Sequence, residues 1–251
     1  LMSFFRRILV ALFISSFSIS SVFASSRVPF ALTTQMDHPV NLRVAAQIDR
    51  CQSLIEKAYF SLPFGHRTGL ENLQLSWSSK ASRGMGGGDT IHIRCNNMTD
   101  SELVAVFIHE MGHILDTGVI QGNAASGASA FRDNRIQLFN DDRSIGFYLI
   151  NWVNTQQQIR GSSPLDFVSG YAQTDPFEDF AESYVFYVLH GADFSEMAQY
   201  NDRLKKKYTF LRDQIFDGQE FLNNYRKPNL KSRFFDTTLL PFSLERFLKR
   251  V

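Results

Sequence analysis

The segment FIHEMGHILD, residues 107–116, constrains this chain more than any other stretch. It sets His109, Glu110 and His113 in a run that is otherwise apolar, flanked by Leu103, Val106, Phe107, Ile108 and Ile114. Thr99 or Asp100 is expected to open a helix here that runs to about Leu115. On a helix, residues i and i+4 share one face, one turn apart, so the two imidazoles can reach a single metal ion. Glu110 lies beside that face, where it can act on a bound water without ligating the metal. H-E-x-x-H is this division of labour, two ligands and one general base. Two histidines and a glutamate in an apolar helix are costly to bury without partners. A metal supplies the partner, and Zn2+, which takes neutral imidazole nitrogens, is the expected cofactor. Gly112 removes side-chain bulk where another element must approach closely.

A hydrolytic zinc site takes three protein ligands and keeps one position open. The residues after His113 are Ile-Leu-Asp-Thr-Gly-Val, so the chain lacks an H-x-x-G-x-x-H continuation. The third ligand is therefore expected from a later helix. DPFEDFAESYVFYVLHG, residues 175–191, reads as one: Asp175 caps it, Pro176 occupies the first turn and Gly191 falls just past the end. Glu178 and Glu182 lie four apart on one face. One can ligate zinc while the other accepts a hydrogen bond from a ligand histidine. Asp116, three residues after His113, either orients that histidine or is a polar residue at the helix C-terminus. His38, His66, His92 and His190 read as surface or structural residues.

The start of the sequence reads as a secretory leader: Arg6 and Arg7, an uncharged Ser-rich apolar run over 8–23, and the small-x-small pattern Val22-Phe23-Ala24. The expected division is a signal peptide, residues 1–24, and a single domain, residues 25–251. No second apolar run is long enough to cross a bilayer, so no stable membrane insertion is expected after cleavage, and the location is secreted or periplasmic. The formal charge is +1, from 26 basic and 25 acidic residues. Without Arg6 and Arg7 the count is 24 against 25, or −1, which gives no electrostatic case for nucleic acid. The basic run Arg203-Leu204-Lys205-Lys206-Lys207 reads as a solvated helix face. Cys51 and Cys95, an even pair in an exported chain, are expected to form a disulfide.

Residues 25–40 read as irregular. A helix capped by Asn41 is expected to reach about Leu62, with Val44, Ile48, Cys51, Ile55 and Ala58 on one stripe. LENLQLSWSS, residues 70–79, alternates as a strand, and TIHIRC, residues 90–95, is a second. SRGMGGGD, residues 82–89, is expected to be a loop, because four glycines weaken any regular element. Residues 117–150 read as loop, with a short helix near SIGFYLINWVN. Asp193 and Glu196 read as a capping box for a helix to about Phe216. The tail after Asp217 should pack back on the domain. The fold class that follows is α+β, mostly helical, with a small sheet before the helix that bears His109.

HEMGHILD, followed by Tyr171 and then by E-D-F-A-E at residues 178–182, resembles zincin metallopeptidases that use a glutamate as third ligand. The pattern is similar to the anthrax lethal factor catalytic domain and to bacterial zinc metallopeptidases carrying E-D-F-A-E. The resemblance covers roughly residues 100–216, and residues 114–170 depart from it in length and content. It implies a zincin-like domain with His109, His113 and Glu178 as ligands, Glu110 as base and Glu182 bonded to a ligand histidine. It also implies a tyrosine seven residues before the ligand glutamate, where Tyr171 stands, with its hydroxyl stabilising the oxyanion. Together with the leader, the expected protein is a monomeric exported zinc peptidase acting on a peptide or protein substrate. The strand around residues 90–94 resembles the edge strand with which an extended peptide pairs. The alternatives are an exported zinc-containing binding protein, a degenerate and non-catalytic zincin, and a toxin-like effector acting on a host protein.

Overall fold

Alternating apolar residues build a small sheet before the histidine helix. The computed structural model describes residues 28–36, 42–134, 136–222 and 226–249; the expected leader, its cleavage point, His38 and the Asn41 cap lie outside them. The first elements are β1 (Ala31–Gln35), α1 (Leu42–Phe60), the single turn α2 (Phe64–Arg67), β2 (Asn72–Ser76), β3 (Gly84–Gly87) and β4 (Thr90–Arg94). The sheet order is β1-β2-β4-β3, with β1, β2 and β4 parallel and β3 antiparallel to β4. Leu73 and Leu75 of β2 lie opposite Ile91 and Ile93 of β4, and all four are buried. The disulfide between Cys51 and Cys95, with Cα atoms 5.9 Å apart, ties α1 to the end of β4.

Three expectations fail in this sheet. β1 lies in the stretch read as irregular; its residues are half-exposed, so backbone pairing with β2 holds it rather than an apolar face. SRGMGGGD, expected to be a loop, contains β3, and β3 rather than β4 is the free edge beside the histidine helix. Its glycines are kept in a strand by close approach to that helix, described below.

The histidine helix, α3 (Asp100–Ile114), is capped by Thr99, whose side chain accepts the Glu102 N–H at 3.2 Å. It runs into a π turn, Leu115–Val119. Residues 117–150, expected to be mostly loop, also hold the hairpin β5 (Ala128–Asp133) and β6 (Ile136–Phe139). Only Phe131 of β5 is buried, so the strand leaves almost no alternation in the sequence. The short helix appears as α4 (Ser144–Tyr148), followed by the two-stranded pair β7 (Trp152–Asn154) and β8 (Gln157–Gln158).

The second long helix, α5 (Pro176–Ala198), starts as expected, with the Asp175 carboxylate accepting the N–H groups of Phe177 and Glu178 at 2.9 Å each. It does not stop before Gly191. It bends at His190 (φ −132°, ψ 32°) and continues, and a Cβ on Gly191 would run into the Phe221 carbonyl. That glycine serves packing, not termination. Asp193 caps nothing; it accepts the Arg226 N–H at 2.7 Å. The cap of α6 (Asp202–Phe210) is Asn201, which accepts from the N–H groups of Arg203 and Leu204. A π turn, Leu211–Ile215, follows, and the tail packs back through buried Phe221 and, in α7 (Leu244–Leu248), Phe247.

The basic run is not a solvated face throughout. Lys205 and Lys206 are exposed, but Lys207 is fully buried, its Nζ 2.7 Å from Asp179 and over the Phe167 ring. Asp179 also accepts the Trp152 indole N–H at 3.0 Å. An ammonium this deep is held by its carboxylate partner.

Candidate metal centre

Two small residues bring the chemistry together. A Cβ on Gly112 would lie 3.0 Å from the Cα of Ala181, so α3 and α5 cross at near-minimal separation. Ala181 sits between Glu178 and Glu182 on that face, and the crossing delivers both carboxylates to the histidines. Oε2 of Glu178 lies 3.2 Å from Nε2 of His109 and 3.5 Å from Nε2 of His113. Four donors about 2.0–2.1 Å from a tetrahedral ion stand about 3.3 Å apart. The His109, His113 and Glu178 ligand atoms all lie within 4.8 Å of one another, and no other such group is found among the described residues.

Glu182 sets the tautomer. Its Oε1 is 3.0 Å from Nδ1 of His109, while Oε2 accepts the Ser169 hydroxyl at 2.5 Å and the Thr237 N–H at 2.9 Å. A carboxylate already filled by two donors takes the Nδ1–H of the ring, which leaves Nε2 as a lone pair. In the neutral ring Nε2 and Glu178 Oε2 are two acceptors facing each other, so either a second ring proton or a cation must stand between them. A cation resolves that arrangement, and two imidazole nitrogens with one carboxylate oxygen are donors that suit zinc.

The other predicted residues fall around this cluster. The Tyr171 hydroxyl donates to Oε1 of Glu178 at 3.0 Å, and its ring stacks on His109 at 6.2 Å. Glu110 is buried and lines the same cleft, about 520 Å³, with Tyr171, Phe235 and the three candidate ligands. Asp116 is fully buried but accepts from the Tyr148 hydroxyl at 2.5 Å; no hydrogen bond joins it to His113 among the described residues. His66 is structural: its Nε2 donates to the Ile215 carbonyl at 2.7 Å and its Nδ1 accepts from Tyr184. His190 is buried in the bend of α5, where desolvation lowers its pKa to about 3. His92 sits on β4, away from the cluster.

The acidities follow from burial and charge. Burial favours neutral His109, but the carboxylates of Glu178 and Glu182 outweigh it and raise its pKa well above the ordinary value. Burial opposes the charge on Glu178 as well, yet the two histidines against its Oε2 hold its pKa below the usual carboxylate range. Glu110 is raised, chiefly by burial, against the opposing charges of His109 and His113 and the Gly86 amide. Tyr171 is raised by burial and by Glu178, so it remains a donor.

Sequence reading missed four contributors. Ser169 and Thr237 fill Glu182, and neither stands in a recognisable motif. Arg83 binds Glu102, Asp236 and Thr238, pinning the tail against the sheet beside the cleft. Phe235, 71% exposed, stands beside the Tyr171 ring.

An α+β domain that aims two histidines and a glutamate at one point, with a second glutamate alongside, has the donor set of a candidate zinc-binding domain. The sequence profile of the family described as "Putative zinc-binding metallo-peptidase" matches residues 54–234, and the chain belongs to that family. No curated protein and no solved structure matches it. Among the described residues no helix is long and apolar enough to cross a membrane, and the disulfide fits an extracellular location.

Proposed function

We propose that this chain is an exported zinc-dependent peptidase, its mature part a single domain over residues 25–251 acting as a monomer in a secreted or periplasmic setting. The observation that carries the reading is the placement of Glu178 Oε2 against both histidine Nε2 atoms, while Glu182 holds His109 in the required tautomer. His109, His113 and Glu178 would hold the ion, which when bound supplies Lewis acidity and brings the ionisation of water near neutral pH.

The protein's own groups do the rest. Glu110 takes the proton of the attacking water and passes it to the leaving amine. The Tyr171 hydroxyl, now on Glu178, turns to the oxyanion that develops on the peptide carbonyl. Glu182 keeps the His109 ring in place. An extended substrate pairs with the free edge of β3, through the outward backbone groups of Gly84 and Gly86.

The test is the zinc-loaded chain on a mixed peptide library, with and without chelator, beside Glu110→Gln. Hydrolysis that stops with chelator and falls about 10²–10⁴-fold in Glu110→Gln, with zinc retained, is expected. Zinc bound without hydrolysis would instead identify a binding protein or a degenerate site. A zinc ratio near zero after refolding with the metal refutes the site altogether.

A further inference from the structure

β3 carries glycine at positions 84, 86 and 87, and strands are weakened by each one. Two of the three face α3. A Cβ on Gly84 would overlap Oε1 of Glu110 and lie 2.7 Å from Cγ1 of Val106. A Cβ on Gly86 would stand 3.0 Å from both the backbone carbonyl and Oε2 of Glu110. Gly87 differs: the nearest atom to its Cβ would be Oγ1 of Thr117, at 4.0 Å, an ordinary contact.

The ladder explains which groups are free. Arg94 N–H donates to the Arg83 carbonyl at 3.0 Å, which fixes the phase of the β3–β4 pairing. Antiparallel pairs alternate, so Met85–His92 and Gly87–Thr90 are the bonded pairs, while Gly84 and Gly86 turn their backbone groups outward.

We infer that Gly84 and Gly86 are positioning residues for Glu110: the side of β3 that lacks side chains is the wall against which this carboxylate rests. The inference rests on the reading of Glu110 as general base. It assigns Gly84 and Gly86 of the GMGGG run to the site, although they bring neither a ligand nor a proton-transfer group.

Gly84→Ala is the variant of choice, because its new methyl meets side-chain atoms and not the backbone. In the zinc-loaded full chain it is expected to keep its zinc and lower kcat about 10–100-fold, the effect of displacing a catalytic group by about 1 Å. KM should stay within about twofold. Gly87→Ala, which removes a glycine from the same strand without touching Glu110, should keep the wild-type kcat. Equal losses in the two variants, or lost zinc in Gly84→Ala, overturn the inference.

The contact is also read without activity. Gly84→Ala should lower Tm by about 3–8 °C, as overpacking does, both in the wild-type chain and in Glu110→Gln. In Glu110→Ala, where the space is vacated, the drop should be less than about half as large. The same drop in all three backgrounds refutes the contact. A wild-type chain that binds zinc and cleaves no peptide overturns the peptidase reading, and the melting pattern then still decides whether the glycines seat Glu110.

Discussion

Glu178 and Glu182 touch the same histidine from one helix face, yet removing them should have opposite signatures. Glu182 is fully buried and accepts from three groups: His109 Nδ1 at 3.0 Å, the Ser169 hydroxyl at 2.5 Å and the Thr237 N–H at 2.9 Å. Glu182→Ala strips all three of their acceptor at once. A buried donor left unsatisfied costs about 1–3 kcal/mol, and water entering the vacated space recovers part of it. The chelator-treated variant should therefore lose about 3–5 kcal/mol, or about 6–20 °C in Tm for a chain of this size. Its zinc affinity should fall by about 10–100-fold, because His109 loses its orientation but not its nitrogen. Glu178 is 19% exposed, accepts one hydrogen bond from Tyr171 and pairs with the two histidines at 3.2 and 3.5 Å, so Glu178→Ala should cost the chelator-treated protein about 1–2 kcal/mol, less than Glu182→Ala does. It removes a ligand, however, and should weaken zinc by more than about 100-fold. Thermal melts in chelator and competition against a chromogenic chelator measure the two quantities separately. A Glu178→Ala protein less stable than Glu182→Ala, or a Glu182→Ala protein weaker for zinc than Glu178→Ala, would show that the two carboxylates have been assigned the wrong way round.

Three further outcomes are expected. After chelator treatment, His109, with its pKa raised above 6.5, contributes stability below that pH and loses it as pH rises through the folded value. Glu178, depressed below 4.5, contributes above that pH and loses it on acidification, so the Tm of the chelator-treated protein should peak between these two values; a peak on the alkaline side refutes the pairing. Lys207→Met leaves the fully buried Asp179 without its cation and should cost about 3–5 kcal/mol in urea unfolding, most of which Lys207→Met with Asp179→Leu restores; a double variant as weak as the single one contradicts this. Replacing Cys51 and Cys95 with alanine should lower stability by about 4 kcal/mol for a sequence separation of 44 residues, and thiol titration of the denatured, unreduced chain should find no reactive thiol.

The histidine helix and the glutamate helix were legible because each combines a cap, an apolar run and chemistry-bearing residues at helical spacing. The buried alternation of β2 and β4 was legible for the same kind of reason. What failed was structure held by backbone pairing or by partners distant in sequence. β1 and β5 bury too little to leave a period-2 signal. Lys207 looks like its exposed neighbours Lys205 and Lys206 until Asp179 is placed beside it. Gly191 has the look of a helix stop, and only the Phe221 carbonyl above it gives its other meaning. For β1, Lys207 and Gly191 the deciding partner lies tens of residues away, and no local propensity encodes it.

The identity of the third candidate ligand shows how such distant partners decide chemistry. By helical spacing alone Glu178 and Glu182 are equivalent, and either could face the histidines. The distinction comes from Ser169 and Thr237, which approach from outside α5 and fill one oxygen of Glu182. Turning that carboxylate toward Nε2 of the histidines would leave a buried hydroxyl and a buried backbone N–H unsatisfied, about 1–3 kcal/mol each. Glu178 bears no such commitment on Oε2, and its other oxygen is held by a tyrosine that can let go. The carboxylate free to bind a cation is thus the one its surroundings left unsatisfied, and the neighbouring one is fixed as a hydrogen-bond acceptor by the same surroundings. Gly112 and Ala181 make the choice matter, because only at their close crossing are both glutamates near enough to compete.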